Sequence, residues 1–276
     1  MLWFSHKEFK CTLPNNHYLR CWRFPGRWLS NAELAHLRKT IEIVTQSKLN
    51  QLPEYGVYLP SREPYENRII TVVYKKNEDK PVAFAAMVHC PVNVRGRIHP
   101  VYHLGLVIKS QSFTGRNFLF LIYYYPLAYI LTLRGFRSSW ITSVSMEPSI
   151  IGAVADNFGD VYPHYLGTTQ LTRIKLDIAK AFVSDFGHEF GIGPRGVLDE
   201  KQFVIKGSCR GPSEVLRTSY AKSAKYRVSR CNTFCKKVLD YERGDELLQI
   251  GSLSLSAAIK VNVRQLKAHC KRKSQK

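Results

Sequence analysis

Acidic residues are scarce in this chain: 21 Asp and Glu stand against 41 Lys and Arg, a formal net charge of +20 over 276 residues. The deficit is steepest near the end, where residues 195–276 carry 19 Lys and Arg against 7 Asp and Glu. Such a field favours an anionic partner, whether nucleic acid, an acidic membrane surface or a polyphosphate cofactor, and charge alone does not choose among them. Long hydrophobic runs are also lacking. The only serious one, Phe118 to Leu133, has 16 residues and contains Pro126, short of the ~20 needed to cross a bilayer. It reads as a buried helix bent near the proline, with peripheral membrane contact left open. The amino terminus lacks a basic start followed by an adequate apolar core, so no secretory signal is expected and a cytoplasmic location is. Cysteines number seven, an odd and scattered set, which argues against a disulfide scaffold and suits free thiols in a reducing compartment. Cys231 and Cys235 are spaced to share a helix face, but no second Cys or His pair lies nearby at finger-like spacing, so no metal is expected. There is no internal repeat and no low-complexity segment.

What is present is a globular composition, 45% hydrophobic and 12% aromatic, in a chain long enough to bury a full core. Ser30, followed three residues later by Glu33, makes a capping box before Leu34, Leu37, Ile41 and Val44, whose spacing predicts an amphipathic helix to about Ser47. Residues 68–74 and 81–88 form a β-branched and apolar pair around a charged turn, a hairpin. Further strands are expected over 101–108 and 140–145, and near Val161 to Tyr165. Helices are expected over 115–133, where Arg134-Gly135 ends the segment, and over Pro148 to Asn157. Beyond Leu171 a helix to Phe186, a Gly-rich loop to Gly196 and a basic helix over Tyr226 to Leu239 are expected. Leu253 to Val263 reads as either a strand or a short helix, and the tail from Lys267 as frayed.

The most informative stretch is Tyr102 to Arg134. A short apolar run enters a Gly-centred polar turn, Gln111-Ser112-Phe113-Thr114-Gly115-Arg116-Asn117, and a long apolar segment follows. A turn that opens a helix aims unpaired backbone N–H groups and the positive end of the helix dipole at one spot, a cradle for phosphate that Arg116 would reinforce. A lone Gly in a strand-to-helix turn is also common in any α/β protein.

The order helix, hairpin, strand, Gly turn, helix, strand, helix, strand, with that turn in that place, resembles the general-control-related N-acetyltransferase (GNAT) superfamily of acyl-CoA N-acyltransferases, over roughly Tyr18 to Gly167. The family's strand ending in Val is followed eight residues later by the middle Gly of Arg/Gln-x-x-Gly-x-Gly/Ala. Val107 and Gly115 have that separation, whereas Ser112 replaces the Arg or Gln and Asn117 the second small residue. The resemblance implies an α/β fold, a mixed and mostly antiparallel central sheet flanked by helices. Residues 1–170 would be the GNAT-like domain, and 171–276 a basic C-terminal extension that completes or packs on it. It implies an acyltransferase, an acetyl-CoA or other acyl-CoA donor, and an amine acceptor. Val107 and the backbone of Ser112, Phe113, Thr114, Gly115, Arg116 and Asn117 would hold the coenzyme A. The altered turn points to a weakened or changed cofactor, with an acyl carrier protein as another donor.

Acyl transfer to an amine needs a base for the amine, polarisation of the thioester carbonyl and a proton for the leaving thiolate. Family members often place a carboxylate base a few residues before the Val; here His103 stands four before Val107, either as a base or as a strand histidine bonded to a neighbour. The family's acid, a Tyr after the fifth strand, is missing; Tyr162 and Tyr165 lie just beyond its place, either to swing in as the acid or as core residues with a solvated hydroxyl. Glu147, after the Trp140 strand, is a further acid or base, or a cap for the next helix. The long apolar helix and the aromatics suit a fatty or aromatic acyl pocket as well as plain core packing. Two other readings stay open: a catalytically inactive GNAT-like scaffold, and a nucleic-acid-associated protein in which Tyr220, Tyr226 and Phe234 stack bases among Lys222, Lys225, Arg227, Arg230, Lys236 and Lys237.

Overall fold

A computed structural model describes residues 2–110, 113, 118–192, 196–209 and 214–257. The chain opens with three antiparallel strands, β1 Leu2–Phe4, β2 Glu8–Leu13 and β3 His17–Arg23. In β2 and β3, Phe9, Cys11, Leu13, Leu19 and Cys21 alternate with polar residues and are buried, the period-2 pattern of a half-buried strand. Helix α1, Asn31–Gln46, follows the capping box: Ser30 Oγ accepts the Glu33 N–H at 3.3 Å and Glu33 Oε2 accepts the Ser30 N–H at 2.8 Å. Its buried face is Leu34, Leu37, Ile41 and Val44. Ser30→Ala, by orphaning these donors, is expected to cost about 1 kcal/mol, readable as a lower urea midpoint with an unchanged slope.

Strands β4 Arg68–Lys75, β5 Lys80–Val94 and β6 Arg97–Lys109 continue the antiparallel meander. Then the direction changes: β7, Ser139–Ser145, runs parallel to β6. Parallel neighbours need a crossover, and α2, Phe118–Leu133, supplies it. Next come α3 Pro148–Asn157, β8 Gly159–Tyr162, α4 Arg173–Phe186, β9 Val197–Asp199, β10 Val204–Lys206, α5 Ser229–Val238 and β11 Glu246–Leu253. Among the described residues the sheet order is β1-β2-β3-β4-β5-β6-β7-β11-β10-β9, with β8 pairing β11. Every pairing is antiparallel except β6–β7. The C-terminal third thus contributes strands to the sheet that the earlier residues begin.

From Phe84 onward the even-numbered side chains of β5 define one face. Phe84 and Ala86 pack with the buried residues of α1, while Val88, Cys90 and Val92 pack with Ile178 and Phe182 of α4. On the other face Ala85 and Met87 meet Ile122, Leu127 and Ile130 of α2. Around Ile151, α3 packs with Cys231 and Cys235 of α5 in a separate cluster. No helix among the described residues is long and apolar enough to cross a membrane.

Candidate functional site

Strands β6 and β7 are paired only at Val101–Trp140, Tyr102–Ile141 and His103–Thr142. Past those rungs β6 stays with β5 as far as Lys109, and β7 stays with β11 as far as Ser145, so the two strands part. The cause is local. Ala86 opposes Leu106 and Val88 opposes His103, so Leu104 and Gly105 together face the single residue Met87, a β-bulge that bends β6 where its pairing with β7 stops. Gly105 holds φ 54°, and a Cβ there would sit 2.0 Å from the Ala86 carbonyl oxygen, so only glycine fits. Beyond the bulge the β7-facing edge of β6 has no strand partner, and side chains meet its backbone instead: the Tyr123 hydroxyl donates to the Leu104 carbonyl at 2.7 Å.

A cavity of about 770 Å³ occupies the gap. Leu104 to Ile108 of β6 line one wall and Ser143 to Ser145 of β7 another; Tyr123, Leu127 and Leu131 come from α2, and Ile150 and Ala153 from α3. Two carboxylates share its charged end. Glu147 occupies the N-cap position of α3, yet its side chain makes no cap bond. Instead its Oε2 accepts the Ala224 N–H at 2.5 Å, and burial raises its pKa above the usual carboxylate value, with that bond opposing. Glu246 begins β11, beside the Leu247–Ser145 pair. Burial pushes its pKa up to about 6, partly offset by Ser208 Oγ, which donates to its Oε2 at 2.6 Å. A carboxylate with that pKa is unprotonated at pH 7 and basic enough to take a proton from an amine.

His103 lies elsewhere, and the bulge explains why. In a regular strand residues 103 and 107 would share a face; one inserted residue reverses the parity. Val107 packs toward the α2 face and lines the cavity, whereas the His103 ring lies 4.0 Å from the Phe190 ring and 5.2 Å from that of Phe182, centroid to centroid. Its Nδ1 is 3.1 Å from Thr142 Oγ1. Burial, and secondarily the charge of Arg68, lowers its pKa to about 3. A neutral histidine under two phenylalanines is a packing residue. Because its folded pKa is below the unfolded one, its contribution to stability is present above pH ~6.5 and is lost as pH falls toward 3. His103→Ala is expected to lower stability by about 2–4 kcal/mol while leaving the pH dependence of turnover unchanged.

Tyr162 also points away from the cavity. It sits edge-on to Phe203 at 5.0 Å, and its hydroxyl donates to the Lys201 carbonyl at 3.3 Å. The Tyr165 hydroxyl donates to Asp156 Oδ1 at 2.9 Å. Of the Gly turn only Phe113 is described, buried in the α2-side core with its ring edge-on to His17 at 5.1 Å. Ser112, Thr114, Gly115, Arg116 and Asn117 lie outside the described residues.

The basic segment around α5 presents few free aromatic faces. Lys225 and Lys236 cover the Tyr220 ring, which also meets Tyr241 edge-on. The Tyr226 hydroxyl donates to Asp156 Oδ2 at 2.5 Å and Arg227 lies over its ring. Among the described residues no three His, Cys, Asp or Glu are grouped as a metal site.

Glu246 is the residue that sequence reasoning missed. Its local segment, Glu246-Leu247-Leu248-Gln249-Ile250, reads as a strand only once its partner is known, and that partner, β7, lies about a hundred residues earlier.

No protein-family model matches the sequence, and no curated protein matches it. Solved structures do match in part. A ribosomal-protein-S5-alanine acetyltransferase from Vibrio fischeri is 10% identical, covers 48% of this chain and 72% of its own, with a TM-score of 0.32. A conserved protein of Enterococcus faecalis described as a probable N-acyltransferase is 11% identical over 51% of this chain and 32% of its own, TM-score 0.33. An N-myristoyltransferase of Saccharomyces cerevisiae is 11% identical over 49% of this chain and 40% of its own, TM-score 0.22. The likeness to acyltransferases thus covers about half the chain at low identity.

Proposed function

We propose that this chain is an N-acyltransferase that moves an acyl group from a thioester donor held between β6 and β7 to an amine. The observation that carries this reading is the parting of β6 and β7 at the Gly105 bulge, which opens a largely apolar slot along a stretch of β6 that has no strand partner on that side. An extended pantetheine arm, with its two amides, suits such an edge, because it can pair with it as an added strand would. Coenzyme A and an acyl carrier protein both present that arm. Backbone N–H groups along the same edge would polarise the thioester carbonyl.

In this scheme Glu246 is the base. It takes a proton from the incoming ammonium; the amine nitrogen attacks the thioester carbon, the C–N bond forms, the C–S bond breaks and the thiolate leaves. Glu147, whose pKa is also raised, gives a proton to the thiolate and takes up the second proton that the nitrogen sheds as the amide forms, while Glu246 passes its proton to solvent. His103 and Tyr162 take no part, since neither lines the slot.

The test is thiol release from acetyl-, octanoyl- and palmitoyl-CoA in the presence of lysine, spermine, glucosamine and a peptide with a free amino terminus. Amine-dependent release is expected with at least one pairing, and Glu147→Gln is expected to slow it about tenfold to a hundredfold. Failure of every thioester both to bind and to react would sink the reading.

A further inference from the structure

The cavity is polarised along its length. Among the described residues the charged ones that line it are Lys48, Glu147, Arg217, Lys222 and Glu246, and Glu147 and Glu246 stand at the end where β6 and β7 have parted. The grouping is physical: the Glu147 carboxylate feels the charge of Lys48 and bonds the Ala224 backbone, and the Thr218 N–H lies 3.3 Å from Met146 Sδ. The other end, where β7 begins and α2 and α3 finish, is lined by Leu131, Phe136, Phe158, Leu253 and Leu255, and among the described residues by no charged side chain.

Helix α2 explains the contrast. Its sixteen residues include no charged side chain, and a helix apolar all round is normally covered all round. Here its face toward α3 lines open space instead. Protein interiors are close-packed, with few voids larger than a water molecule, so the uncharged part of this 770 Å³ cavity, between the two helices, calls for an occupant. An acetyl group would leave the uncharged end unfilled. Phe136 and Leu255 at the far rim are 54% and 47% exposed, so the end of an alkyl chain would meet an apolar exit.

We infer that the uncharged end of the cavity binds an unbranched hydrocarbon chain, so that the donor is a medium- or long-chain acyl thioester whose polar arm lies at the charged end. The inference rests on the acyltransferase reading for the thioester and on the cavity alone for the chain.

Calorimetric titration of the full chain with CoA and with acetyl-, octanoyl-, lauroyl- and palmitoyl-CoA tests it, alongside free laurate. Affinity is expected to rise about fourfold for each added methylene until the channel is filled, so octanoyl-CoA should bind at least a hundredfold more tightly than acetyl-CoA. Ala153→Trp, which plugs the channel from α3, should abolish that gain, so that acetyl- and octanoyl-CoA bind alike. Should the tryptophan unfold the protein, Leu255→Asp at the exposed rim should instead weaken palmitoyl-CoA about tenfold and spare acetyl-CoA. Equal binding of acetyl- and palmitoyl-CoA overturns the chain channel and leaves the transferase reading standing. Laurate bound by the parent and lost in the variant, with no CoA bound at all, supports the channel and overturns the thioester. Binding of neither overturns both.

Discussion

Glu246→Gln is expected to cut turnover by about a hundredfold to ten-thousandfold while making the protein more stable at neutral pH. The two effects share one cause. Burial raises the pKa of Glu246 to about 6, which places an unprotonated, still basic carboxylate at the charged end of the slot. If the chain turns over as proposed, kcat/KM of the parent should fall about tenfold per pH unit below pH 6, and in the variant that limb should vanish. For stability, the folded pKa lies above the unfolded one, so the contribution of this group is fully present below about pH 4.3 and is lost as pH rises through 6. An amide carries no charge to lose. The Tm difference between variant and parent should therefore widen from pH 5 to pH 8. A variant as active as the parent, with its acid limb intact, would remove Glu246 from the mechanism.

Gly105→Ala is expected to damage fold and site together. A Cβ at this position meets the Ala86 carbonyl oxygen at 2.0 Å, and φ at 54° disfavours any side chain. Backbone strain of about 1–3 kcal/mol adds to a similar cost for steric overlap. Relief would require β6 to lose its bulge, and a one-residue change of register turns Val101 and His103 out of the α4 core. Urea unfolding should show the loss of stability, and thioester binding should be lost even under conditions where the variant stays folded. Parent-like stability in Gly105→Ala would mean that the bulge is not needed.

Much of the frame was legible along the chain. Ser30 and Glu33 mark the start of α1 because a capping box is a local bond pattern. The apolar run from Phe118 is the crossover because a helix of that composition must lie on a sheet. The strand pair near 101 and 140 was found for the same reason, that each segment carries its own pattern.

What escaped notice depends on partners distant in sequence or on one inserted residue. His103 stands four residues before Val107, where the family resemblance puts a base, and the bulge that turns it to the other face is signalled along the chain only by Gly105 inside an apolar strand. Glu246 was invisible because β11 joins β7 from the far end of the chain, and the segment read there as a strand or helix, Leu253 to Val263, starts where β11 ends. The opening strands β1 to β3 carried a period-2 signal in Phe9, Cys11 and Leu13.

A crystal structure with a non-hydrolysable thioether analogue of lauroyl-CoA measures directly where a thioester sits. The pantetheine arm is expected between residues 104–108 and 143–145, with its amides bonded to the free edge of β6, the reacting carbon near Glu246 and the alkyl chain between α2 and α3. An analogue bound anywhere else, with β6 and β7 still parted around an empty slot, would contradict that placement.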